Sequence, residues 1–228
     1  EVEATTHIFP TISSGFYVLD GTVLGGASNE DDELTVTLNA EGGNFIDAQA
    51  LAGIPGGATA ADTTIALVGG PKVKLADGLL DGKAVTPETP GDGSSVQVGN
   101  VPGAGVMTAN LSVVEVAAEI VLGEDEAFEG EFNPGQPLEI TDNDPDTEFA
   151  LDITGATGLP ASIKLTGTQV TLTADQANGL TIDGGSTAVV ELDPDGNEDL
   201  SDISVDLVLD GAGGGSEFGG TLPASDVQ

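Results

Sequence analysis

An apolar residue at every second position, interrupted every few residues by a turn former, constrains this chain more than any other feature. "LTVTL" (34–38), "TIALV" (64–68), "KVKL" (72–75), "VQV" (96–98), "FALDIT" (149–154), "SIKL" (162–165), "VTLT" (170–173), "TAVVEL" (187–192) and "ISVDLVL" (203–209) all read this way. Alternate side chains of a strand point to opposite faces, so each stretch predicts a short strand with one buried side. Glycine, aspartate, asparagine and proline fill the gaps. With 34 glycines and 12 prolines there, the expected fold is all-β, built as two β-sandwich modules.

One stretch supports two readings. In "NLSVVEVAAEIVLG" (110–123) the pairs Val113/Val114 and Ala117/Ala118, then Val121, make a helical stripe with Glu115 and Glu119 four apart. The same residues alternate as a strand through Val114, Val116, Ala118, Ile120 and Leu122. The β-branched content favours a long strand. "TADQAN" (173–178) is the other helical candidate, a single turn with Thr173 as N-cap. Periodicity weakens over "GEDEAFEGEFNPGQP" (123–137), where five acids cluster and Pro134 and Pro137 bracket a turn. The expected organisation is therefore an N-terminal sandwich over 1–125, a second over 126–212 and a Gly-rich tail over 213–228.

Charge narrows the setting. The chain carries 39 acidic side chains against 4 lysines and no arginine, a formal charge of -35, yet 39% of it is hydrophobic. That hydrophobic share separates it from disordered polyanions. Self-repulsion on this scale is relieved by molar salt, where the Debye length falls to about 3 Å, or by divalent cations. Both point to a halophilic or calcium-rich environment. With no basic stripe to displace counterions, nucleic acid is excluded as a partner. No apolar run approaches the roughly 18 residues of a membrane span, so membrane insertion is not expected. Cysteine is absent, which rules out disulfides and thiolate metal sites. The chain starts at Glu1 rather than Met, which we read as a processed mature N-terminus, consistent with export or virion maturation.

Two acid-rich stretches suggest calcium, an ion that takes six to eight oxygen ligands and that flexible acidic turns can supply. "ELDPDGNEDLSD" (191–202) offers Glu191, Asp193, Asp195, Asp199 and Asp202, with Gly196 permitting a sharp turn and Pro194 stiffening it. "TDNDPDTE" (141–148) offers Asp142, Asp144 and Asp146. The plainer alternative is that each is a solvated turn, since acids are common throughout and high salt tolerates them. "SNEDDE" (28–33) lacks a glycine turn or oxygen spacing and reads as a solvated loop.

Little else carries chemistry. His7 is the single histidine and reads as structural, so no Ser-His-Asp or Cys-His arrangement can be assembled. A glycosidase carboxylate pair would want aromatic sugar platforms, and the chain has one tyrosine, Tyr17, and no tryptophan. "GGNFIDAQALAGIPGG" has no phosphate-loop context. Asn110-Leu111-Ser112 is a glycosylation sequon, but its place inside an expected strand favours coincidence. A non-enzyme is expected.

From about 138 to 209, "LEITDNDPDTEFALDITG", "GLPASIKLTG", "VTLTADQANGLTI" and "VVELDPDGNEDLSDISVDLVL" resemble one cadherin-like or immunoglobulin-like module of large bacterial surface adhesins. The resemblance implies immunoglobulin-like or jelly-roll-like sandwiches, with linker calcium at the start of a module. The 191–202 loop also resembles the thrombospondin type-3 calcium repeat, on which Asp193, Asp195, Gly196, Asp199 and Asp202 fall.

These readings lead to a non-enzymatic extracellular structural protein, a subunit of a homopolymeric surface filament, pilus-like fibre or layer, stiffened by calcium. Its main partner would be itself. "EVEATTHIFPTISSGFYVLDG" is the preferred strand donor to a neighbouring subunit, with the glycine tail second. Two alternatives share the composition: a virion protein of a halophilic virus, as capsid decoration, turret or tail, and a calcium-dependent cell-surface adhesion module binding a host or surface ligand.

Overall fold

The computed structural model describes residues 4–8, 16–18, 33–40, 44–48, 63–99, 105–142, 149–185, 187–192, 198–211 and 220–223. The chain is all-β, with parallel strands stacked as a β-solenoid of about 6 turns. It divides into two compact units. One contains Glu1–Pro102 with Thr108–Glu119, the other Gly103–Met107 with Ile120–Gln228.

In the first unit two ladders alternate along the chain. Strands β1 (Ala4–Ile8), β3 (Glu33–Asn39), β5 (Thr63–Val68) and β7 (Ala84–Pro87) form one ladder, all parallel. Strands β2 (Phe16–Val18), β4 (Phe45–Asp47), β6 (Lys72–Ala76) and β8 (Ser95–Gly99) form the other, also parallel. A single helical turn, α1 (Asp77–Leu80), fills the corner between β6 and β7. Register stacks like on like. Val36 lies against Ile65, and Ile65 against Val85. Ile46 lies against Val73, and Val73 against Val96. All six are at most 2% exposed.

Strand β10 (Ala117–Leu122) carries the chain into the second unit. There β9 (Val106–Met107), β11 (Glu126–Phe128), β13 (Ala150–Asp152), β15 (Gln169–Thr173), β17 (Thr187–Leu192) and β18 (Asp206–Gly211) make a parallel ladder. Strands β12 (Leu138–Asp142), β14 (Ser162–Thr166) and β16 (Thr181–Gly184) make a second. Leu151, Val170, Ala188 and Leu207 stack rung upon rung, as do Leu138, Ile163 and Ile182. Each fully buried aliphatic side chain of this kind contributes about 1.5–3 kcal/mol, which makes these columns the main source of cohesion. Phe128 and Phe132 stack with centroids 4.2 Å apart.

The corners are tied to the turns beside them. In α2 (Ala174–Ala177) Thr173 and Gln176 form a complete capping box. Gln176 Nε2 also donates to the carbonyls of Ile153 and Ala156, at 2.8 and 3.0 Å. At Gly158 a Cβ would sit 2.4 Å from the carbonyl oxygen of Phe132 in the preceding turn, and φ is +58°. Only glycine fits there.

The sandwich expectation is overturned. A sandwich needs antiparallel sheets packed face to face, whereas every strand pairing described here is parallel. The parallel strands get their crossovers from the remainder of each solenoid turn. Immunoglobulin-like and jelly-roll-like modules fall with it. Individual strands fare better, since "TAVVEL" is β17 to the residue and α2 lies on "TADQAN" with Thr173 as its cap. In 110–123 the strand reading holds over Ala117–Leu122. Residues 112–113 form a turn instead, and Val114 makes a lone parallel bridge to Val85. The proposed donor segment pairs within its own chain wherever it is described, β1 on β3 and β2 on β4.

Candidate metal centre

The 191–202 stretch begins as strand and ends as a corner. Glu191 belongs to β17, its backbone in register with Thr173 and Asp210. Asp193 and Asp195 lie outside the described residues. The chain returns at Glu198, where Asp199 makes a parallel bridge to Thr221. Thr221 N–H donates to Glu198 O at 3.0 Å, and Leu200 N–H donates to Thr221 O at 2.8 Å. Asp199 is fixed to the preceding turn too, because its N–H donates to Asn178 Oδ1 at 2.9 Å and its carbonyl accepts from Gly179 N–H at 2.8 Å. Leu200 and Ile203, 0% and 1% exposed, pin this corner to the core.

Alternation separates Glu198 from Asp199, and the turn at residues 201–202 exposes Asp202 although it shares the parity of Glu198 and Leu200. Asp199 and Asp202 are exposed, while Glu198 is 8% exposed. The Ser201 hydroxyl, then the Ser201 N–H, hydrogen-bond to Asp199 and hold its carboxyl below the usual carboxylate range. Glu198 Oε2 is buried and has no hydrogen-bond partner among the described residues. A carboxylate oxygen in that position is costly unless a hydrogen-bond donor or a cation meets it. Glu198 is the residue the sequence reading passed over. Parity alone could not have found it, because Asp202 stands two residues after the buried Leu200 as Glu198 stands two before, and Asp202 is exposed.

In the second acid stretch, Asp142 closes β12 and is half-buried. Its Oδ2 accepts from Phe149 N–H at 2.9 Å, so it staples the two ends of the 143–148 segment together. Asp125 Oδ1 similarly accepts from Ala150 N–H at 2.9 Å. Asp144 and Asp146 lie outside the described residues, as do residues 28–32 of "SNEDDE". Of the acids put forward as calcium ligands, the structure brings Asp199 and Asp202 into one turn and gives Asp142 a structural bond. Among the described residues no group of three or more histidine, aspartate or glutamate side chains converges.

No helix among the described residues is long and apolar enough to cross a membrane. In comparison with known proteins, the chain matches no family model, no curated protein and no solved structure.

Proposed function

We propose that this chain is a non-enzymatic extracellular structural protein, a subunit of a self-assembling surface filament or layer whose acidic corners take up calcium. The parallel solenoid is the observation that carries this reading. Each turn covers its apolar side chains with its neighbours, so stability accumulates along one dimension. A ladder of this kind also has strand edges, whose main-chain groups can accept a further strand. In the second unit β18 ends its ladder on β17, and in the first β1 and β2 end theirs on β3 and β4. The N-terminal strands therefore stay the preferred contact with another copy, through their ladder ends, with β18 second. Calcium is supported by Glu198 Oε2, buried with no hydrogen-bond partner among the described residues, in a chain whose charge of -35 favours any bound cation.

The test is sedimentation velocity with electron microscopy over a concentration series in molar salt, with and without millimolar Ca²⁺. Concentration-dependent assembly into fibres or sheets is the expected result, and a monomer at every concentration refutes the reading. Thermal melts at fixed ionic strength should show Ca²⁺ stabilising the chain by roughly 1–3 kcal/mol for sites well above half saturation. The shift should be reduced in Glu198→Gln. No shift at all would leave salt screening as the whole account of the acidity.

A further inference from the structure

The sequon Asn110-Leu111-Ser112 is not in a strand. Strand β10 starts at Ala117, and the sequon forms a turn ahead of it. Asn110 Oδ1 accepts from the Ser112 N–H at 3.0 Å and from the Ser112 hydroxyl at 2.6 Å, a closed Asx turn. The backbone of Asn110 is held on both sides. Its N–H donates to Asp81 Oδ1 at 3.0 Å, and its carbonyl accepts from Gly82 N–H at 2.9 Å. Leu111, 1% exposed, anchors the turn in the core, while Val113 is 42% exposed just beyond it.

This arrangement singles out Asn110 Nδ2. The carboxamide is planar, so with Oδ1 directed into the turn the nitrogen projects to the opposite side. Nδ2 has no hydrogen-bond partner among the described residues, and it is not one of the buried polar atoms that lack one, so it meets solvent. The fold therefore holds this amide in one orientation and makes no use of its nitrogen. Asparagine two residues before a serine, with a residue other than proline between, is the acceptor pattern for N-linked sugar in exported chains.

We infer that Asn110 is the attachment site of an N-linked glycan. The inference rests on the extracellular reading above, because such transfer acts on exported chains. Nδ2 forms the new bond to C1 of a sugar carried on a lipid phosphate. The C1–O bond to that phosphate breaks, the carrier leaves with the electron pair, and one Nδ2 proton passes to a base of the transferase. The Ser112 hydroxyl orients the amide through Oδ1, and the attached sugar gives Val113 a polar cover.

Two measurements test this on the full chain. In the first, unglycosylated folded protein is mixed with an oligosaccharyltransferase and a lipid-linked oligosaccharide. Wild type and Ser112→Thr should each gain one glycan at Asn110, and Asn110→Gln and Ser112→Ala none. Melting curves establish that each variant is folded. A wild-type chain left unmodified, in a reaction that glycosylates a control acceptor, overturns the inference. In the second, the chain is recovered from its own cells and the peptide bearing Asn110 is weighed. A sugar mass on Asn110 is expected. Bare Asn110 in chain recovered outside the cell overturns the inference. Bare Asn110 in chain confined to the cytoplasm, together with transfer in the first measurement, overturns the extracellular reading and leaves the acceptor chemistry standing.

Discussion

Replacing Gly158 and Gly179 by alanine, one at a time, separates the cost of a left-handed backbone from the cost of an adjoining solenoid turn. The two have similar torsions, φ +58° and +70°. At Gly179 an added Cβ meets nothing within 4 Å, whereas at Gly158 it would lie 2.4 Å from Phe132 O and 3.2 Å from Glu131 Cγ. Both variants bear the left-handed penalty for an L-residue, about 1–2 kcal/mol. Gly158→Ala must in addition push back the Phe132 carbonyl. That carbonyl belongs to a segment fixed by Phe132 N–H to Thr157 O at 2.8 Å and by Thr157 N–H to Gly130 O at 3.0 Å. It also adjoins a phenyl ring that is 2% exposed and stacked on Phe128. Overpacking of this kind costs about 1–3 kcal/mol. The expected losses are therefore roughly 2–5 kcal/mol for Gly158→Ala and 1–2 for Gly179→Ala. Urea unfolding in fixed molar salt, followed by far-ultraviolet circular dichroism, reads both; unchanged m-values license the comparison. Equal losses would show that the turn bearing Phe132 does not press on Gly158, and the stacked-turn account of this corner would be wrong.

Further predictions follow from the same rungs. Leu165, 1% exposed between Ile140 and Gly184 in register, should cost about 2–5 kcal/mol as Leu165→Ala, and a loss below 1 in the same urea assay would place it outside the core. Thr173→Ala removes the acceptor of the Gln176 N–H and should cost about 1 kcal/mol. Gln176→Ala also strips the donor from two carbonyls of the preceding turn, so it should cost more, about 1–3 kcal/mol, and the reverse order would refute that tie. Burial pushes the Lys83 ammonium below its ordinary 10.5, with Asp81 acting the other way. The folded chain then releases this proton before the unfolded chain does, so stability should rise with pH in the window below 10.5. Lys83→Met should abolish that rise in Tm, measured from neutrality to pH 10.5, and an identical rise in the variant would assign it to other groups.

Much of the local structure could be read before any coordinates. The period-two stretches located strands at 34–38, 64–68, 72–75, 96–98, 162–165, 170–173 and 187–192, and the alternate residues Val36, Leu38, Ile65, Leu67, Val73, Leu75, Val96, Val98, Ile163, Leu165, Val170, Leu172, Ala188 and Val190 are buried. How those strands pair was not legible, because a strand with one apolar face satisfies an antiparallel sandwich and a parallel coil equally well. The usual sign of a coil, a fixed repeat, is blurred by turns of unequal length. Val36 pairs with Ile65, yet Val170 pairs with Ala188. The acidic site was legible in part. Spacing picked out Asp199 and Asp202, but burial was needed to single out Glu198, since proximity in sequence says nothing of which carboxylate the core will cover.

By itself the sequence determined the all-β character, the inward parity of each strand, the helical turn capped by Thr173 and a surface dominated by carboxylates. These are properties of neighbouring residues and of overall composition. The tertiary structure decided that the strands stack in parallel, that Gly158 must lack a side chain, that Asp142 serves as a staple, and that the sequon is a turn with its amide nitrogen free. The parallel stacking and the close approach at Gly158 depend on what one turn of the chain meets in the next, some 20 or more residues away along the sequence in most rungs. The Asp142 staple, by contrast, spans 7 residues, and the Asx turn of the sequon only 2, on a backbone that Asp81 and Gly82 hold from 29 and 28 residues away. Contacts at that range are settled when apolar columns close over one another, and nothing in a local window fixes which column closes on which.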